Sequence, residues 1–106
     1  MTSKRTAASK RAAPPRESDS AKSFRKDWDR LAQAGRYDMG RLKEAMMLLI
    51  ANDSPLGHEW LDHPLKGKWA DHRECHIGGD FLLISQIEGN VINFVRAGTH
   101  SDLFKS

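Results

Sequence analysis

Two stretches of the chain repeat their apolar residues at helical spacing. Phe24, Trp28 and Leu31 fall four and three positions apart, and Met39, Leu42, Met46, Leu49 and Ile50 form a second stripe. That periodicity predicts two amphipathic helices joined by a short loop. Ser20 or Asp19 is placed to cap the first and Gly35 to end it. Asp38 is the expected cap of the second, which residues 52–55 should stop at Pro55. The pattern then changes. Residues 56–68 hold Gly57, Pro64 and Gly67 and read as loop. Three strand-like runs follow at 69–77, 81–87 and 91–96, separated by Gly78-Gly79 and by Glu88-Gly89-Asn90. The run 81–87 is apolar on both faces, as a central strand would be. Residues 101–104 predict a short closing helix capped by Thr99 or Ser101. The order predicts an α+β domain: two N-terminal antiparallel helices packed on a small twisted antiparallel β-sheet.

Residues 1–19 contain no aromatic residue and no Val, Ile or Leu. Such a segment cannot bury enough apolar surface to offset its ordering entropy. It is expected to be a disordered basic tail, with the folded domain at 20–106. The tail carries five basic and two acidic residues, whereas the remaining residues carry twelve of each. The net charge of +3 therefore belongs to the tail, and the pI of 9.2 does not describe a basic domain. No apolar run approaches the ~20 residues of a membrane helix, and no secretory signal is visible. One cysteine, Cys75, excludes a disulfide framework and fits a reducing compartment. A cytoplasmic protein with no membrane partner is expected.

All five histidines lie between residues 58 and 100: His58, His63, His72, His76 and His100. Histidine titrates near neutrality, so a cluster suits metal binding or proton transfer. On one strand, His72 and His76 would share a face but stand ~13 Å apart, too far for one ion. Cys75 would point the other way, and there is no CxxC or HExxH spacing. A site of His63, His76 and His100 stays geometrically open. The metal-free alternative is RNA cleavage through the strand's own 2′-OH. It needs a base for that proton, an acid for the leaving 5′-oxygen and cations for the phosphorane, each proton transfer contributing ~10²–10⁴-fold. His63, His76, His100, Asp80, Arg73 and Arg96 supply those residue types. Residue types alone are equally compatible with scattered surface histidines.

The second half carries Asp62-His63-Pro64-Leu65-Lys66-Gly67-Lys68-Trp69, Arg73-Glu74-Cys75-His76, Asp80-Phe81-Leu82-Leu83-Ile84 and Arg96-Ala97-Gly98-Thr99-His100-Ser101-Asp102-Leu103-Phe104. In that order and spacing they resemble the YafQ-type toxins of the RelE/ParE superfamily. The resemblance extends back through Phe24-Arg25-Lys26-Asp27 and the second helix, and covers everything outside the tail. It implies an mRNA interferase toxin of a type II toxin–antitoxin module, entering the ribosomal A site and cutting mRNA without metal or other cofactor. It implies a cognate, DinJ-like antitoxin, the 70S ribosome and mRNA as partners.

Carried over by motif, the catalytic residues are His63, His76, Asp80, His100 and Arg96. His100 is expected to be the general acid and His63 the base, with His76 as competitor. Asp80 is expected to orient a histidine or raise its pKa. Arg96, with Arg73, would hold the phosphorane. Phe104 would stack on a base, with Phe81, Lys66 and Lys68 as further substrate contacts. Structural readings stand beside these: Phe104 packing the chain end, Arg73 pairing with Asp71 or Glu44, Trp60 and Trp69 in the core, His58 and His72 as ordinary surface residues. Three departures from the family stand out, the first being Cys75, which replaces a small residue and is expected to pack inward. Phe81 replaces a Trp, and residues 16–20 lack the apolar residues of the family's first strand, which is expected to be missing or poorly formed. A binding-only relative and a metal-dependent hydrolase are the competing functions.

Overall fold

The computed structural model describes residues 14–51 and 56–104. The helices form where the apolar stripes place them. α1 spans Lys22–Ala34 and ends at Gly35, whose φ of 74° is the left-handed conformation glycine adopts without cost. Its expected caps are not used. Ala21 is the N-cap and makes no side-chain cap bond, because Ser20 is taken up by a strand. α2 spans Met39–Ile50, and the Asp38 carboxylate accepts from the Arg41 N–H at 2.9 Å. The stop expected at 52–55 lies outside the described residues.

Five strands follow the order β1-β5-β4-β3-β2: β1 Glu17–Ser20, β2 His63–Pro64, β3 Arg73–Gly78, β4 Phe81–Glu88 and β5 Val91–Gly98. β4 is central, as its two apolar faces require. β2 to β5 pair antiparallel, and β1 lies parallel to β5. The first strand thus forms without apolar residues. Main-chain bonds hold it, from Glu17 N–H to the Asn90 carbonyl and from Ala21 N–H to the Phe94 carbonyl, both at 2.9 Å. An edge strand that buries little needs only those bonds. Glu17–Asp19 therefore belong to the sheet, while residues 1–13 of the expected tail lie outside the described residues. The run at 69–77 starts late. Gly67–Trp69 is a single 3-10 turn, and the strand begins only at Arg73. β5 runs two residues past Arg96, because Ala97 and Gly98 pair with Leu83 and Leu82.

Alternation along β4 divides the core. Phe81 and Leu83 face α1 and α2, packing with Phe24, Leu31, Leu42, Leu49, Phe94, Ala97 and Cys75. Leu82 and Ile84 face the other way, under Leu65, Trp69, Val95, Leu103 and Phe104. The chain closes with α3, His100–Phe104. Thr99 Oγ1 accepts from Asp102 N–H and Asp102 Oδ2 from Thr99 N–H, both at 3.2 Å, a reciprocal cap that fixes the start of this turn. No helix among the described residues is long and apolar enough to cross a membrane.

Candidate active site

The sheet face away from the helices gathers residues distant in sequence. Register sets the arrangement, because directly paired residues share a face. His63 pairs with Glu74, Glu74 with Ile84, and Ile84 with Arg96. His76 pairs with Leu82, and Leu82 with Gly98. The intervening row, Cys75, Leu83 and Ala97, points into the helix-side core. His63, Glu74, His76 and the Cα of Arg96 therefore lie on one face. α3 brings His100 and Phe104 to its margin.

The rings form a continuous row. Centroids are 6.1 Å apart for His63 and His76, 6.3 Å for His76 and His100, 5.9 Å for His100 and Phe104, and 6.0 Å for Phe104 and Trp69. Glu74, 5% exposed, sits between the first two, with Oε2 at 3.4 Å from Nε2 of each. The sequence reading missed it, although its place two residues before His76 on one strand was the available signal. His63 Nδ1 lies 2.7 Å from the Leu61 carbonyl. A carbonyl only accepts, so Nδ1 carries the hydrogen and Nε2 has the free lone pair in the neutral ring. Leu61 is the one non-glycine with positive φ among the described residues, at 49°, and that turn aims its carbonyl at His63.

His100 is held differently. Its Nδ1 is 2.5 Å from Asp80 Oδ1, and its main-chain N–H donates to the same oxygen at 3.1 Å. The bond from the His100 ring, then that from its N–H, hold the Asp80 carboxyl below its ordinary value. The ionised carboxylate keeps the Nδ1 proton in place and leaves Nε2 facing outward. Both side chains are more than half exposed, accessible to a large substrate.

Other expected residues fall elsewhere. Arg73 Nε donates to Asp62 Oδ1 at 3.0 Å, not to Asp71 or Glu44; Asp62 also accepts from Leu56 N–H at 3.1 Å, so this pair ties down the loop before His63. Phe81 is buried on the helix side, 5.0 Å from the Tyr37 ring. It is not on the site face and cannot stack on a base there. Arg96 Nε and Nη2 bond Asp27 Oδ2 and Oδ1 at 2.7 and 3.1 Å. Lys66 and Lys68 are exposed on the turn leading to Trp69. Trp60 is core, and Trp69 is half-buried against Phe104. His58 is exposed, and His72 sets its ring edge-on to Trp69 at 5.1 Å. Donor atoms of His63, Glu74 and His76 all lie within 4.8 Å of one another, a spacing that could hold a metal ion. Glu74 takes the place in that trio that the sequence reading gave to His100.

Residues 16–105 match the model of a family described as bacterial toxin of type II toxin–antitoxin system, YafQ. The chain is 43% identical over 75 residues to the mRNA interferase toxin YafQ of Escherichia coli K12, covering 71% of this chain and 82% of that protein. A crystal structure of the E. coli DinJ–YafQ complex superimposes with a TM-score of 0.76 at 39% identity, over 84% of this chain and 98% of that one. A crystal structure of a metal-bound toxin from Helicobacter pylori gives a TM-score of 0.74 at 38% identity, over 84% and 99%.

Proposed function

Because the chain belongs to the YafQ family of bacterial type II toxin–antitoxin toxins, we propose that it is an mRNA endonuclease working in the ribosomal A site, cutting by acid–base chemistry without a metal. The observation that carries this reading is the row of three imidazoles served by two carboxylates: Glu74 between His63 and His76, Asp80 on His100. The 2′-oxygen of the substrate attacks the adjacent phosphorus as His63 Nε2 takes its proton. Glu74 stabilises the imidazolium so formed. The phosphorus–O5′ bond breaks as His100 Nε2 gives its proton to that oxygen, leaving a 2′,3′-cyclic phosphate and a 5′-hydroxyl. His76 shares Glu74 and is the alternative base. Arg96 stabilises the phosphorane, and Phe104 with Trp69 offers a face for a neighbouring base. Lys66 and Lys68 supply local positive charge. A relative solved as the DinJ–YafQ complex supports a DinJ-like antitoxin as the partner that silences the toxin.

Primer extension on mRNA incubated with the toxin, with and without ribosomes, tests the activity class. Cuts at fixed codon positions that need ribosomes support the proposal; no cuts, or equal cuts in free RNA, refute it. A metal-dependent nuclease is the second reading, favoured by the His63, Glu74 and His76 spacing and by the metal-bound relative. Toxin stripped of transition metals before addition to ribosomes in magnesium buffer separates the two. Full activity supports the metal-free mechanism, and restoration only by added metal supports the other.

A further inference from the structure

The edge of the sheet beyond β1 holds a device that the catalytic row does not explain. β1 ends opposite Phe94, and among the described residues the outer edge of β5 has no strand partner from Val95 onward. α1 runs along this edge. Ser23 Oγ donates to the Val95 carbonyl at 2.8 Å, and Asp27 Oδ2 accepts from Ala97 N–H at 3.0 Å. Asp27 is 4% exposed. It also accepts the two Arg96 bonds and one from Arg30 Nη2 at 3.1 Å. Arg30 continues to Asp102 Oδ2 at 3.3 Å, and Asp102 accepts from Thr99 N–H at the start of α3. One buried carboxylate therefore references both the candidate phosphate cation and the turn that carries His100 and Phe104.

The guanidinium geometry is specific. Asp27 takes the side edge of Arg96, made of Nε and Nη2. The end edge, made of Nη1 and the second hydrogen on Nη2, is not used by Asp27, and an oxyanion can accept from it bidentately. Arg96 lies in register with Glu74 across the central strand, two strands away with Ile84 between them. Its side chain is 27% exposed, so the group is reachable. We propose that Asp27 is a positioning residue for cleavage, clamping one edge of Arg96 at the sheet margin so that the other edge donates to one non-bridging oxygen of the scissile phosphate. This rests on the endonuclease reading above. Burial pushes the Asp27 carboxyl up, but bonds from Arg96, Ala97 N–H and Arg30 bring it below its ordinary value, so the clamp stays charged at any pH of activity.

The test is single-turnover cleavage of a short mRNA on programmed ribosomes, with a phosphorothioate of each configuration at the scissile position. Sulfur accepts hydrogen bonds poorly, so a directed guanidinium should make one diastereomer at least about tenfold slower with wild-type toxin. Asp27→Asn keeps the acceptor for Ala97 N–H but loses the charged clamp. It should slow the all-oxygen substrate about 10- to 100-fold in kcat, erase the diastereomer preference and add nothing to Arg96→Ala. A merely structural pair would lower the melting temperature and leave the preference intact. Folded Asp27→Asn with wild-type rate and preference overturns the proposal. If that variant does not fold, Arg96→Lys serves: it can still pair with Asp27 but has no second edge, so the preference should vanish. Its retention overturns the proposal. Wild-type toxin that cuts nothing on programmed ribosomes sinks the endonuclease reading itself, whereas failure of the clamp leaves wild-type cleavage in place.

Discussion

Replacing Glu74 by glutamine removes one negative charge and keeps the shape of the side chain. The carboxylate is 5% exposed, and its Oε2 is 3.4 Å from Nε2 of both His63 and His76. Unit charges at that distance attract by ~5 kcal/mol at an effective dielectric near 20, and by ~1 kcal/mol in water. The histidine side chains are 47% and 24% exposed, so solvent screens the interaction toward the lower limit. A loss of ~1–3 kcal/mol in the transition state corresponds to about 5- to 150-fold in rate. The charge it stabilises exists only after proton transfer, so the loss should fall on kcat and leave KM nearly unchanged. The melting temperature should hold or rise, because a buried charge has been removed. Single-turnover cleavage on programmed ribosomes over a range of toxin concentrations measures both constants. A Glu74→Gln rate within twofold of wild type, or a defect confined to KM, would refute the role assigned to this carboxylate.

Three further outcomes follow from the same geometry. Gly98 has φ +154°, and a Cβ there would meet Asp102 Oδ2 at 3.0 Å and Arg30 Nη2 at 3.3 Å. Gly98→Ala should therefore lower stability by ~1–3 kcal/mol, read as a lower denaturation midpoint, and should also slow cleavage by shifting the turn that holds His100. Burial pushes the Cys75 thiol up to about 12 from its ordinary 9.0. A thiol reagent near neutral pH should modify it only after unfolding; the unfolded chain loses this proton first, so the contribution of Cys75 to stability is complete below pH 9 and declines from there toward pH 12. Rapid native labelling contradicts that burial. Deletion of residues 1–13, which carry four basic residues and no acidic ones, should weaken the salt dependence of ribosome binding and spare single-turnover cleavage. The deletion must stop before Arg16, whose N–H donates to the Ile50 carbonyl at 2.7 Å; a salt dependence unchanged by the deletion argues against the tail as a phosphate contact.

The helices and the central strand were legible because their signals are local and periodic. Leu42 and Leu49 bury at helical spacing, and Asp38 caps as its chemistry suggests. β1 was not legible, because its stability comes from the β5 main chain and not from its own side chains. Trp69 reads as the start of the strand-like run 69–77, although Gly67 at φ 66° turns the chain there first. His63, His76, Asp80 and His100 were named from family motifs and meet on one face. Residue types alone did not choose among five histidines. Glu74 was hidden because a lone glutamate within a strand reads as solvated until the register sets it between two imidazoles. Phe81 was misplaced for the same reason: one step along β4 exchanges the histidine-bearing face for the core. Arg73 and Asp27 were out of reach, since their partners depend on how a loop and a helix end meet the sheet.

The role of His100 as the acid is the center of the mechanism, and a substrate whose leaving 5′-oxygen is replaced by sulfur tests it most directly. A thiolate leaves without a proton, so the acid becomes unnecessary while the base is still required. The sulfur substrate should restore His100→Ala to near the wild-type cleavage rate on programmed ribosomes and leave His63→Ala as impaired as on the natural linkage. A His100→Ala defect of the same size on both substrates would contradict the account.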